Sequence, residues 1–332
     1  MKFGVGIPTC REGLFYPIGF ASIEKIRLIT QTAEALGYDI VWGNDHITTQ
    51  TYLKQLNKKP NFFEPLIVLS YLASITKKIK LGTAVIIGPL RNPAILAKQA
   101  ITLDHISNGR FILGVGLGAY SEEFKALGGK GKRGIILDET IASLRELFDK
   151  PIASFHGKFV QFSKIELYPR PLQDPFPIYV GGNSTPVLKR VALYGNGWIP
   201  AALTPQEIAK SSKQIAEYAK KVGREVKIEI APEFGCSIST DAKTAYKNFL
   251  GSPIYTHFLS LRRSTFRELE SFDGEATLQR NFIGTPDDII KKLELYEAAG
   301  VDCIWFDFVA SNVDEILTQM KIFAEEVLPS FK

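Results

Sequence analysis

Cysteine is scarce in this chain: three in 332 residues, at 10, 236 and 303, odd in number and with no CxxC pair. That spacing excludes a disulfide framework and a thiolate zinc site and predicts a reducing cytoplasm. Long hydrophobic runs are missing too. The longest charge-free apolar stretch, Leu81 to Leu90, is far too short to span a membrane. Lys2 and then Arg11 and Glu12 bring charge in at once, so no secretory signal is expected. Neither sign of charge dominates, with 40 Lys and Arg against 35 Asp and Glu, a net +5. The two signs are interspersed, which excludes a nucleic-acid arm or a polybasic membrane signal. No Pro/Ser-rich linker divides the chain. Paired carboxylates, metal-ligand spacing and a nucleophile elbow are likewise absent.

What remains is an ordinary globular composition, 45% hydrophobic and 23% charged. Apolar periodicity alternates between strand and helix along the whole length. Strands are expected at Met1–Pro8, Ile40–Trp42, Ile79–Ile87, Phe111–Val115, Ile178–Val180, Trp198–Pro200, Lys227–Ile238 and Val301–Phe308. Helices are expected between them at 23–36, 65–76, 93–107, 135–148, 185–194, 205–222, from 242, 285–299 and 313–328. Eight strand–helix units with short connections demand parallel strands and close as a (β/α)8 barrel, one domain over 1–332. A doubly wound open sheet is the rival. Segments 47–63, 151–177 and 251–284 exceed ordinary loop length and are read as insertions, the first and last as lids and the middle one as a hairpin plus an extended crossing. Arg262, Arg263, Arg267 and Arg280 in the last insertion read as a charged surface helix, with contact to an acidic ligand tail as the lesser reading.

Three segments could carry chemistry. Tyr38 to His46 is an apolar strand ending in Asp45 and His46, a carboxylate beside one of only four imidazoles. Strand ends are where a β/α scaffold exposes reactive groups, and imidazole exchanges protons near neutral pH. Ile178–Gly181–Gly182–Asn183–Ser184–Thr185–Pro186 leads from a strand through paired glycines into a helix with proline in its first turn, an arrangement suited to an anion. Gly114–Val115–Gly116–Leu117–Gly118–Ala119 satisfies GxGxxG/A in form, but it follows the fourth strand, so phosphate contact fits better than NAD binding. Small residues at 82–88 leave room for a flat ligand in a barrel mouth. His105 falls in the last turn of a helix and reads as structural.

Taken together, "LGYDIVWGNDH", "IKLGTAVIIGPLRNPAILAKQAITLDHISNGRFILGVGLGAYSEEFKALG", "PIYVGGNSTPVLKRVALYGNGW" and "GTPDDIIKKLELYEAAGVDCIWF" resemble the luciferase-like flavin and deazaflavin oxidoreductase family over nearly the whole chain. The resemblance implies a TIM barrel with a planar tricyclic cofactor in its mouth. "NDH" most resembles members that use coenzyme F420. It implies that His46 shuttles the proton accompanying hydride transfer and that Asp45 helps hold the cofactor. It further implies a non-prolyl cis peptide at Ala84–Val85 behind the ring, a phosphate turn at Gly181, Gly182, Ser184 and Thr185, and cofactor contact by Glu122. Alcohol- and sugar-phosphate-oxidising members carry an acid where this chain has Ala119 and Trp where it has Gln50. The methylene-tetrahydromethanopterin reductase members carry an acid near Gly6 and Ile7.

The expectation is therefore a cytoplasmic oxidoreductase, homodimeric by family analogy, moving hydride between F420 and a small-molecule substrate. The alternatives are an FMN-dependent monooxygenase on the same scaffold and a flavin- or deazaflavin-binding protein without catalysis.

Overall fold

The computed structural model describes residues 1–331 apart from 56, 262–264 and 267–272. Eight parallel strands form the staves of a barrel: β1 (Lys2–Ile7), β2 (Ile40–Gly43), β3 (Lys80–Thr83), β4 (Phe111–Gly116), β5 (Ile178–Gly181), β6 (Gly197–Ile199), β7 (Glu233–Ile238) and β8 (Cys303–Phe308). Each pairs with the next from β1 to β6, and β8 pairs with both β1 and β7. The ring closes between β6 and β7 through the short strand Glu229–Ile230 and an Ala201–Glu233 bridge. The (β/α)8 expectation holds.

Two expected strands are broken, each for a local reason. The third stops at Thr83 and resumes at Ile86–Ile87, with the cis Ala84–Val85 peptide between. The segment expected at 227–238 is interrupted at Ala231-Pro232, where proline has no amide to donate, and it changes partners there. The 251–284 insertion contains helices Pro253–Ser260 and Gly274–Arg280, then a three-residue strand Phe282–Gly284 that pairs with β7. Periodicity had no length over which to register that strand. Arg262, Arg263 and Arg267 lie outside the described residues. Arg280 is a correction: it ends helix Gly274–Arg280 but is buried rather than on a charged surface, bonded to both carboxylate oxygens of Glu207. The hairpin appears as Ala153–His156 against Gln161–Ile165.

Helix starts follow their caps. Thr204 and Thr285 form capping boxes with Glu207 and Asp288, and proline opens both helices. The apolar faces of the outer helices pack on the barrel in one continuous core. Inside the barrel, Trp42, Tyr179 and Trp305 fill the centre, with Trp42 to Trp305 ring centroids 5.7 Å apart. A β-carbon at Gly82 would lie 2.3 Å from the Trp42 ring, so glycine on β3 makes room for tryptophan on β2. This plug leaves a cavity of about 320 Å³ at the N-terminal end of the strands and one of about 450 Å³ at the C-terminal end. No helix among the described residues is long and apolar enough to cross a membrane.

Candidate active site

The larger cavity sits where strand ends deliver side chains, and it receives His46, Ala84, Val85 and the 181–184 turn together. His46 is positioned by its loop. Thr9 Oγ donates to the Asn44 carbonyl at 2.8 Å, and Asn44 Nδ2 donates to the Cys10 carbonyl at 3.0 Å, stitching the ends of β1 and β2 together. The His46 ring lines the cavity while its Nδ1 meets Glu123 Oε2 at 3.0 Å. Glu123 Oε1 also accepts the amides of Ile47 and Thr48 at 2.6 and 3.1 Å. Burial pushes the Glu123 carboxyl up, but His46 and these amides pull it down further, so it ends below its ordinary value. Nδ1 is therefore committed to Glu123, and Nε2 has no hydrogen-bond partner among the described residues.

The other expected positions fare differently. Both Asp45 oxygens have protein partners: Arg91 at 2.8 Å and the Ile87 amide at 3.1 Å. Asp45 thus lines the cavity while bracing the segment after Val85. Glu122 accepts the Thr51 amide and does not line the cavity; its neighbour Glu123, also outside the lining, is the acid that meets His46. Sequence reasoning expected Glu122 to contact the cofactor and did not single out Glu123, the partner of His46; the two differ only in helix phase. Ala84–Val85 is cis, and Val85 is seated between two glycines: a β-carbon at Gly116 would lie 2.5 Å from it and one at Gly181 2.6 Å. Glycine at both positions is thus what makes room for the Val85 side chain. Gly114 abuts the Thr83 carbonyl oxygen at a hypothetical 1.8 Å, so this glycine serves strand packing rather than a dinucleotide.

At the cavity's other end, Gly182 has φ +123° and Ser184 stands at the helix N-cap without spending its side chain on a capping bond. Asn183 pins the turn through paired bonds to Ala201, both 2.9 Å. Thr185 opens the helix but is not part of the lining. Arg133, which the sequence did not single out, lines this end, donating to the Gly118 carbonyl at 3.1 Å. Burial lowers its guanidinium, with no carboxylate to offset the cost. Glycines, an uncommitted hydroxyl and a desolvated cation make an anion-receiving end.

One part of the lining was missed entirely. It carries Arg11, Phe15, Glu233 and His257. Asp307 from β8 joins Arg11 beneath it, and its carboxylate occupies the space over Gly6, where a β-carbon would lie 2.2 Å from Oδ1. His257 is buried, and burial pushes its imidazole down to about 3, with His46 and Arg11 adding to the effect.

Residues 1–303 match the luciferase-like monooxygenase family. F420-dependent glucose-6-phosphate dehydrogenase of Amycolatopsis mediterranei (strain U-32) is 27% identical over 317 residues, covering 90% of this chain and 92% of that one. The alkanal monooxygenase alpha chain of Photorhabdus luminescens is 26% identical over 365 residues, covering 100% and 97%. Among solved structures, an F420-dependent secondary alcohol dehydrogenase in complex with an F420–acetone adduct superimposes over 100% of both chains with TM-score 0.78 at 21% identity. With a match over most of its length, the chain belongs to the luciferase-like monooxygenase family.

Proposed function

We propose that this chain is an oxidoreductase that moves hydride between the deazaflavin coenzyme F420 and a small organic molecule. The observation that carries the reading is His46, lining the cavity with Nδ1 held by Glu123 and Nε2 uncommitted. The residues present suit a flat, phosphate-bearing cofactor: a wall at Val85 seated between Gly116 and Gly181, and glycine, hydroxyl and cation at Gly182, Ser184 and Arg133. Bound there, F420 supplies two-electron hydride chemistry at a ring carbon. His46 holds or releases the coupled proton at Nε2, and Glu123 fixes the ring so that this nitrogen faces the cavity. Gly182 and Ser184 hold the phosphate, and Arg133 balances its charge. The F420-dependent relative at 27% identity supports this choice of cofactor.

The second reading, an FMN-dependent monooxygenase, draws on the alkanal monooxygenase relative. Calorimetric titration of the purified chain with F420 and with FMN decides between them. F420 binding at least tenfold tighter is expected. The reverse order moves the reading to the monooxygenase, and binding of neither sinks both.

A further inference from the structure

The cavity of about 320 Å³ at the N-terminal end of the strands lies across the aromatic plug from His46, and β1 to β5 and β8 all contribute to its wall. Protein interiors are packed with few voids larger than a water molecule, so a space of this size is exceptional. Its floor is apolar. Ile40, Trp42, Ile112, Tyr179 and Cys303 belong to the cluster that fills the barrel centre, and each is no more than 5% exposed. The hydroxyl of Tyr179 is spent on Glu229, and the Trp42 indole nitrogen has no surface open to the cavity. Burial pushes the Cys303 thiol up, so it presents an uncharged sulfur. A bound water needs roughly two to four polar partners, and this floor does not offer them.

The rim is charged but balanced. Lys2, Lys78 and Lys80 stand against Glu34, Asp39 and Glu229, so the lining carries no net charge. The acids are already committed. Glu34 accepts the amides of residues 77–79, Asp39 accepts that of Phe3, and Glu229 meets Lys2 and Tyr179. Around Cys303 the signs are equally matched, Asp39 and Glu229 opposing Lys2 and Lys80. An ion on the floor would lose hydration to a lining that offers no net countercharge. An uncharged ring would bury apolar surface without that cost. An apolar protein cavity of about 150 Å³ holds benzene, and roughly twice that volume admits two fused rings.

We propose that this cavity is a second small-molecule site and that it takes an uncharged molecule built on two fused aromatic rings. It stands apart from the active-site cavity and does not depend on what binds beside His46.

Indole and its anionic analogue indole-3-carboxylate are titrated by calorimetry into the full chain and into Cys303→Phe, whose added ring fills the cavity. Indole is expected to bind at least tenfold tighter than the carboxylate and to weaken at least tenfold in Cys303→Phe. A crystal of the native chain soaked with 5-bromoindole is expected to place the bromine's anomalous signal among Ile40, Ile112 and Cys303. No indole binding, a preference for the carboxylate, undiminished binding by a folded Cys303→Phe, or a bromine signal only in the active-site cavity overturns the proposal. If Cys303→Phe does not fold by thermal melting, the native titrations and the bromine position decide.

Discussion

At the residue scale, the site turns on which groups hold His46 and at what pH. Replacing His46 with Ala removes a ring that lines the cavity and is 11% exposed, so folding should survive. Turnover of F420 with a substrate found by screening should fall by at least about 100-fold, the usual share of a positioned acid–base group. Turnover that stays put would remove His46 from the mechanism. Glu123→Gln removes a buried charge that accepts from two amides and meets the imidazole. It should cost about 2 kcal/mol at pH 7 in denaturant unfolding. Because Glu123 sits below its ordinary value, its stabilisation is complete above that value and is lost as pH falls through the lowered one. The gap between native and variant proteins should therefore shrink in acid. His257 acts through its depressed value of about 3, against an ordinary 6.5. Below pH 6.5 the unfolded chain takes up a proton that the folded chain refuses, so stability drops as pH falls. Between pH 7.5 and 5.5 this one group should cost about 1.4 kcal/mol, a slope that His257→Gln abolishes in pH-dependent melts. Equal slopes would place the imidazole in a wetter setting than its burial implies.

At the element scale, the strands were legible and their interruptions were not. Near-continuous apolar runs at 2–7, 111–116 and 303–308 mark strands buried on both faces, and the capping boxes at Thr204 and Thr285 set helix starts to the residue. The break at Ala84–Val85 falls inside an apolar run whose composition does not change, whereas Pro232 marked the other break and was passed over. The first was visible only through family resemblance. The residues of the Arg11 wall come from the loop after β1, from β7 and from the 251–284 insertion, and no spacing links them before the barrel closes. Glu123 was hidden differently, one position from the glutamate that the motif offered. Strand packing also yields a prediction. A β-carbon at Gly114 would sit 1.8 Å from the Thr83 carbonyl oxygen, which is backbone and cannot turn aside. Gly114→Ala should lose about 3 kcal/mol in denaturant unfolding, at the upper end of what overpacking costs. A loss under 1 kcal/mol would show that β3 and β4 can part there.

At the scale of the whole molecule, one cavity joins the Val85 wall, the His46 imidazole, the 181–184 turn and a buried arginine, each from a different part of the ring. Closing the barrel brings them together, which explains why barrel class could be read from periodicity while half the lining could not. A cofactor bound in that cavity should stabilise the fold by mass action, by about 2.7 kcal/mol at one hundred times its dissociation constant. The most direct test of the account is a crystal structure of the chain with F420 bound. The account predicts the ring against Val85 with His46 beside it and the phosphate at Gly182, Ser184 and Arg133. A ring bound away from His46, or a phosphate held elsewhere, would contradict it.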